Sequence, residues 1–78
     1  MTLNELKPGE SGKVTGIFLN NLRKRIIDMG VTNGTIIKVK KLAPLGDPME
    51  IVVRGYLLTL RKTEAKAIQI EKVEGVNQ

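Results

Sequence analysis

The sequence predicts a mainly β fold: a small five-stranded barrel with a short helix inserted after the first strand and a helical turn before the last strand. Three observations support this prediction. Short segments alternate aliphatic and polar residues, most clearly at residues 49–53. Only a few residues, rich in Gly, Pro and Asn, lie between these segments, as is typical of tight turns. Few stretches show the apolar spacing of a helix. In a chain of 78 residues, closing the strands into a barrel removes exposed edges with fewer residues than a two-sheet sandwich needs.

The first few residues predict a helical turn at one end of the barrel. Thr2 and Glu5 have the spacing of a capping box. In that motif the Thr begins the turn and the Glu carboxylate reaches back to its amide. Such a turn places Leu3 and Leu6 as a lid over the barrel end.

The first strand is predicted to start at Gly12. Val14 and Phe18 fall on one face of a regular strand with Gly16 between them, and Ile17 falls on the other face. A glycine inside a strand indicates a bulge or a sharp coil, which small barrels need.

The segment that follows predicts a helix of two turns, beginning at the Asn pair 20–21, because asparagine is a favoured N-cap. Leu22, Ile26 and Met29 then form one apolar stripe at i, i+4 and i+7. Gly30 is expected to end the helix in a left-handed conformation. A helix this short must dock on the sheet to be stable.

The rest of the chain predicts four more strands with their connections. These are a strand at 35–42, a loop at 43–48, a strand at 49–53, a tight hairpin turn at 54–55, a strand at 56–60, a helical turn at 61–67 and a final strand at 68–71. Residues 1–73 are expected to form one domain and residues 74–78 a flexible tail.

The composition limits the chemistry. The chain has no His, Cys or Trp, and its eight acidic residues are scattered singly, so soft metal ligands and the usual general base are missing. We therefore predict no catalytic residue, no metal site and no cofactor. The formal charge of +5 favours acidic partners: nucleic acid, an anionic membrane surface or an acidic protein. No secretory signal or membrane-spanning run is recognisable, so a soluble, cytosolic protein is expected.

Three segments together resemble a known family. Residues 22–30 (LRKRIIDMG) are similar to its "LRxRLLDMG" helix, residues 43–48 to its "APLGDP" loop, and residues 54–65 to its "RGYxLxLRxxEA" segment. The family is ferrous iron transport protein A (FeoA), and the resemblance extends over about residues 6–70. One departure is that residues 32–34 read Thr-Asn-Gly where the family usually has Thr-Pro-Gly, but Gly34 can still supply the positive φ of this bend.

The resemblance implies an SH3-like barrel with a helix after the first strand. It also implies a cytoplasmic, non-catalytic accessory of FeoB, the GTP-linked ferrous iron transporter of the bacterial inner membrane. Such an accessory binds the cytosolic region of the transporter and modulates or assembles it. It would lie at the membrane through its partner and not within the membrane. A homo-oligomer is compatible with the sequence.

The predicted helix supplies the first candidate partner contacts. Arg23, Ile26 and Ile27 combine basic and aliphatic side chains, as protein interfaces often do. Two adjacent isoleucines on a helix cannot both point inward, so one is expected to be partly exposed. The alternative is that both isoleucines belong to the core and the cations form a solvated face.

Three further residues are candidate contacts. Leu45 lies between two prolines that reduce the freedom of the 43–48 loop before binding; alternatively, the prolines define a tight hairpin and Leu45 caps the core. Arg54 and Arg61 either dock on an acidic patch of the partner or are solvated turn charges.

Two other functions stay open. Small basic barrels often bind RNA, but Phe18 and Tyr56 are the only aromatic residues, so unpaired bases have no stacking platform. A metal-sensing regulatory domain, as in iron-dependent repressors, would have oxygen ligands alone, which select Fe(II) poorly. An accessory protein that binds the transporter, and no nucleic acid, is the preferred prediction.

Overall fold

Five antiparallel strands and two short helices make up the fold in this computed structural model, which describes residues 1–18 and 21–74. In chain order the elements are β1 (Ser11–Ile17), α1 (Arg23–Asp28), β2 (Ile36–Leu42), β3 (Met49–Val53), β4 (Tyr56–Leu60), α2 (Lys62–Ala65) and β5 (Ile68–Val73), with 3-10 turns at Leu3–Glu5 and Pro44–Gly46. The predicted mainly β fold class and both helical positions are confirmed. Residues 75–78 of the predicted tail lie outside the described residues. Within the described ranges, no helix is long and apolar enough to cross a membrane.

The five strands form one sheet in the order β4-β3-β2-β1-β5. The outer edge of β5 is covered by the start of the chain, because the Ile70 amide donates to the Met1 carbonyl at 2.9 Å and Thr2 forms a bridge with Gln69. Among the described residues β4 pairs with β3 alone, so its other edge has no strand neighbour. Within residues 1–18 and 21–74 the two edges of the sheet are therefore unlike, because the start of the chain covers β5 and no strand pairs with the outer edge of β4.

A β-bulge at Gly16 changes which side chains of β1 face the core. Val14 and Gly16 pair with consecutive residues of β5, so β1 holds one extra residue at this point. The predicted bulge is confirmed. Because the extra residue shifts the alternation, Ile17 packs against the core and Phe18 is 46% exposed. The prediction that Phe18 shares a face with Val14 is wrong for this reason.

The core is aliphatic and takes side chains from all five strands and both helices. Its largest fully buried apolar members are Leu3, Leu6, Val14, Ile26, Val31, Ile37, Val39, Met49, Ile51, Leu60 and Ile68. The alternation predicted for the strands at 35–42 and 49–53 is confirmed by this burial.

The predicted capping box is present, with the Glu5 carboxylate accepting from the Thr2 amide at 2.6 Å. It holds the first turn so that Leu3 and Leu6 are buried, as predicted.

α1 begins slightly later than the sequence predicts. Its first residue is Arg23, with Leu22 at the N-cap, and Asn21 lies in the preceding turn. Asn20 lies outside the described residues. The backbone of Leu22 is already in the helical region of φ and ψ, so the helical conformation extends one residue before the assigned start of α1.

The apolar stripe of α1 docks on the sheet as predicted. Ile26 is fully buried, and Leu22 and Met29 are partly buried against the core. Gly30 follows the helix with φ +92°, the left-handed conformation expected after a helix end. A Cβ at Gly30 would lie 2.8 Å from the Tyr56 hydroxyl, so a side chain at this position would be strained by its conformation and would displace that hydroxyl.

Glu64 is the one charged side chain among the described residues that is buried, at 2% exposed. Its Oε2 lies 2.9 Å from Arg25 Nε of α1, and its Oε1 accepts from the Arg61 amide at 2.8 Å. The Arg25 side chain remains 57% exposed, so burial desolvates mainly the carboxylate. The Glu64 carboxylate thus accepts from the amide at the start of α2 and joins α2 to α1.

We predict that Glu64→Ala lowers the free energy of unfolding by about 2–3 kcal/mol, because it removes hydrogen bonds to a charged group together with buried volume. Urea denaturation at neutral pH measures the change. The matched control is Glu71→Ala, at an exposed position of β5, which should change stability by less than about 0.5 kcal/mol. Equal effects of the two substitutions would show that the buried pair does not stabilise the fold.

A second ion pair joins the start of β1 to β5. Lys72 Nζ lies 2.7 Å from Glu10 Oε2, and the Lys7 amide donates to Glu10 Oε1 at 2.8 Å. The hydrogen bond from Lys72 lowers the pKa of Glu10, and the same contact raises the pKa of Lys72. The Glu10 contribution to stability is present above the carboxyl pKa of the unfolded chain and is lost as pH falls through the lowered pKa of the folded protein. The Lys72 contribution to stability is present below the Lys pKa of the unfolded chain and is lost at alkaline pH, as pH rises through the raised pKa of Lys72 in the folded protein.

We predict that Lys72→Met moves the pKa of Glu10 back toward its ordinary range, because the largest cause of the lowering is removed. NMR titration of the carboxyl carbons measures this change. Glu5 is an internal control, since the Thr2 amide is the main reason why its pKa is lowered. An unchanged Glu10 pKa in the variant would contradict the assignment of the shift to Lys72.

Candidate partner-binding surfaces

α1 presents Arg23 and Ile27 on a shallow depression of about 340 Å³, which Ile17 of β1 and the turn at 32–33 also line. Ile27 is partly exposed. Ile26 has no exposed surface, so the prediction that it contacts a partner is wrong. The reason is geometric: adjacent helical residues point about 100° apart, and burial of Ile26 directs Ile27 to the rim. We call Arg23 and Ile27 the helix face.

Leu45 projects from the loop between β2 and β3 and is 97% exposed. The Ala43 amide donates to the Pro48 carbonyl at 3.0 Å and the Gly46 amide donates to the Ala43 carbonyl at 2.8 Å, which closes the loop on itself. Leu45 takes φ +71°, a left-handed conformation that leucine rarely adopts. The alternative that Leu45 caps the core is therefore wrong. We call residues 43–48 the hook.

Arg54 is a structural clamp rather than a freely solvated charge. Arg54 and Gly55 form the hairpin turn with φ +50° and +85°, which confirms the predicted tight turn. The Arg54 guanidinium donates from Nε to the Gly30 carbonyl at 3.2 Å and from Nη2 to the Thr32 and Thr35 hydroxyls at 3.2 and 3.3 Å. It is exposed, so its contact with a partner stays a prediction.

Tyr56 completes the same clamp, although it is not among the site residues predicted from the sequence. Its hydroxyl donates to the Met29 carbonyl at 2.9 Å. That carbonyl belongs to the last turn of α1, where backbone acceptors have no partner within the helix. The available signal was the glycine at 30, which leaves room for the approaching hydroxyl.

Arg61 belongs to a different region from the helix face. It is the N-cap of α2 and lines a depression of about 450 Å³ together with Arg25, Asp47 and Glu64. Asp47 Oδ1 accepts from the Lys62 amide at 3.0 Å, so the end of the hook is fixed to the start of α2. The six predicted contacts therefore fall into two groups: Arg23, Ile27 and Arg54 around the turn after α1, and Leu45 and Arg61 around this link, with Ile26 excluded.

A larger groove of about 770 Å³ crosses the outer faces of β1, β2 and β3, between the turns at 33–35 and 54–55. The cross-strand register aligns Ser11 with Lys38 and Lys38 with Val52 along its floor. Lys38 lines this groove and the exposed Lys40 does not, a difference that strand alternation alone does not show.

Sequence and fold both match a known family. A family model for the FeoA domain matches residues 1–72 of this chain. The chain belongs to the FeoA domain family. The resemblance inferred from the three sequence segments is thus confirmed.

Relatives of this FeoA domain include both separate and fused proteins. The FeoA-like protein of Clostridium acetobutylicum, solved by NMR, is 40% identical with a TM-score of 0.90, and the match covers 100% of this chain and 92% of that one. The Fe(2+) transport protein A/Fe(2+) transporter FeoB fusion protein of Porphyromonas gingivalis is 35% identical over 78 residues, covering 94% of this chain. This chain spans 9% of the length of that fusion protein.

A crystal structure of FeoA from Stenotrophomonas maltophilia supports the SH3-like description of the fold. It is 26% identical with a TM-score of 0.79, covering 91% of this chain and 89% of that one, and that protein was characterised as a prokaryotic SH3 domain protein in complex with zinc. In the part of the present chain that the structure describes, no three His, Cys, Asp or Glu side chains come together as a metal site requires.

We predict that Tyr56→Phe lowers the free energy of unfolding by about 1 kcal/mol, because the Met29 carbonyl loses its donor. Urea denaturation measures the loss, and faster hydrogen exchange at the end of α1 locates it. Thr15→Val is the control, since the exposed Thr15 hydroxyl has no hydrogen bond among the described residues. No change in either measurement for Tyr56→Phe would show that the clamp does not hold the helix.

Proposed function

We propose that this FeoA domain is a non-catalytic accessory of bacterial ferrous iron uptake that binds the cytosolic region of the transporter FeoB and modulates or assembles it. The observation that carries the proposal is the P. gingivalis relative, in which an equivalent domain and the transporter are one polypeptide. A covalent link keeps two modules at high effective concentration. A separate domain must obtain the same association from surface contacts.

The hook is the first surface suited to such a contact. Leu45 is almost fully exposed, although an isolated leucine gains free energy on burial. The two backbone hydrogen bonds of the loop and the link from Asp47 to Lys62 fix its shape before binding. Little conformational entropy is then lost when a partner pocket receives Leu45.

The helix face is the second surface. Ile27 offers apolar area beside the Arg23 guanidinium, within a concave depression rather than on a flat surface. The net charge of +5 steers the domain toward an acidic region of the transporter and raises the association rate. Docking modulates the transporter when the domain binds one of its conformational states more tightly than another. In this proposal the domain is cytoplasmic and reaches the inner membrane through its partner.

The test is a titration of the domain against full-length FeoB in nanodiscs, with and without GTP, at low and moderate salt. We predict that Leu45→Asp and Ile27→Asp each weaken binding at least about tenfold, because each places a charge in an apolar contact. Leu57→Asp makes the same change at a half-exposed leucine of β4 and should weaken binding by less than about threefold.

Circular dichroism must show that each variant keeps the fold of the parent chain. Normal binding by folded Leu45→Asp and Ile27→Asp variants would remove both surfaces from the proposal. Absence of saturable binding by the parent chain, together with salt-sensitive affinity for mixed single-stranded RNA, would overturn the accessory role itself and favour the nucleic-acid alternative.

A further inference from the structure

Two hydrogen-bond donors without partners face the groove between β1 and β2. Ser11 and Lys38 are directly opposite in the antiparallel register, which places their Cβ atoms roughly 5 Å apart. Ser11 is 6% exposed and Lys38 is half-buried. Within the described residues, neither the Ser11 hydroxyl nor the Lys38 ammonium has a hydrogen-bond or ion-pair partner. Partly desolvated donors of this kind gain from an anionic acceptor.

The groove has cations and no carboxylate. Lys38 and Arg54 line it, and no Asp or Glu does. The three hydrogen bonds of Arg54 all go to neutral oxygens, so they orient the guanidinium without neutralising its charge. Glu10, the acidic neighbour of Ser11 in the chain, is held by Lys72. The groove is therefore electrostatically complementary to a negatively charged ligand.

The groove also has an apolar wall, which decides between classes of ligand. Ile36 is 40% exposed and Val52 is partly exposed, and both line the groove. Inorganic phosphate or a nucleic-acid backbone would leave this wall uncovered. Bases would need an aromatic ring on which to stack, but Tyr56 does not line the groove and its hydroxyl is bonded to the end of α1.

We infer that the groove binds an extended acidic segment of a protein partner. One carboxylate of the segment accepts hydrogen bonds from Lys38 and Ser11, and an aliphatic side chain two residues along the segment, which an extended backbone directs to the same side, packs on Ile36 and Val52. Neither the helix face (Arg23 and Ile27) nor the hook lines the groove, so the inference goes beyond the two surfaces proposed for the transporter and does not depend on them.

NMR titration of the ¹⁵N-labelled chain with the hexapeptide acetyl-Glu-Asp-Leu-Val-Glu-Asp-amide, which carries acidic and aliphatic side chains together on each face when extended, tests the inference. We predict saturable shifts at the amides of Thr35, Lys38 and Val52, with α1 and the hook unaffected. The peptide in which Gln and Asn replace every Glu and Asp keeps the shape without the charge, and should bind at least about tenfold more weakly. Equal affinity of the two peptides would overturn the inference.

Substitutions on β1 and β2 distinguish binding in the groove from attraction by the overall charge. Lys38→Glu should weaken peptide binding at least about tenfold and Ser11→Ala about threefold. The matched control is Lys40→Glu, which changes net charge equally at an exposed position outside the groove and should weaken binding by less than about threefold. Equal losses from the two lysine variants would show attraction by net charge alone. If Lys38→Glu does not fold, Lys38→Met carries the same expectation.

Titrations with other ligands, the location of the peptide shifts and one further variant test the class of ligand, the binding site and its independence from the hook. Inorganic phosphate or mixed single-stranded RNA that saturates the same amides more tightly than the peptide would overturn the assignment to an acidic protein segment. Peptide shifts confined to the helix face or the hook would overturn the location. Leu45→Asp should bind the peptide as the parent chain does, so loss of transporter binding and loss of groove binding are distinguishable.

Discussion

The buried carboxylate of Glu64 is the interaction on which the helical part of the molecule depends. Neither helix is long enough to be stable alone, and this one side chain joins them, by accepting from the Arg61 amide at the start of α2 and from Arg25 on α1. Tyr56 holds the other end of α1 through the Met29 carbonyl. α1 is thus fixed at two points by different parts of the chain, and its exposed side chains keep a defined position on the sheet.

Much of the fold could be predicted from local patterns, because each reflects a local physical cause. Alternation over residues 49–53 indicates one buried face, and the turn at 54–55 needs left-handed conformations, of which Gly55 adopts one freely. The glycines at 16 and 30 indicated a bulge and a helix end, and both are present. The resemblance to the FeoA family rests on the helix, the hook and the hairpin, because these segments carry the motifs that match those of the family.

The errors arose where a residue's environment depends on more than its neighbours in sequence. Phe18 changed face because a single extra residue in β1 reverses the alternation after it. For Ile26 and Ile27, a helical pattern shows that one must be exposed but the docking of α1 decides which. Leu45 is exposed and takes a left-handed φ angle, a conformation that its residue type disfavours and therefore does not predict. The groove could not be foreseen, since it depends on the register that sets Ser11 opposite Lys38.

The open edge of β4 affects how the isolated chain behaves in solution. Residues Tyr56–Leu60 carry no charged side chain, and charge at an edge is the usual device that stops one sheet from extending another. Repulsion between copies then rests on the net charge of +5, which acts over a Debye length of about 8 Å at physiological ionic strength. The edge of β4 contributes no charge of its own to that repulsion. High salt screens the repulsion between copies, whereas a chain paired with the outer edge of β4 would cover that edge.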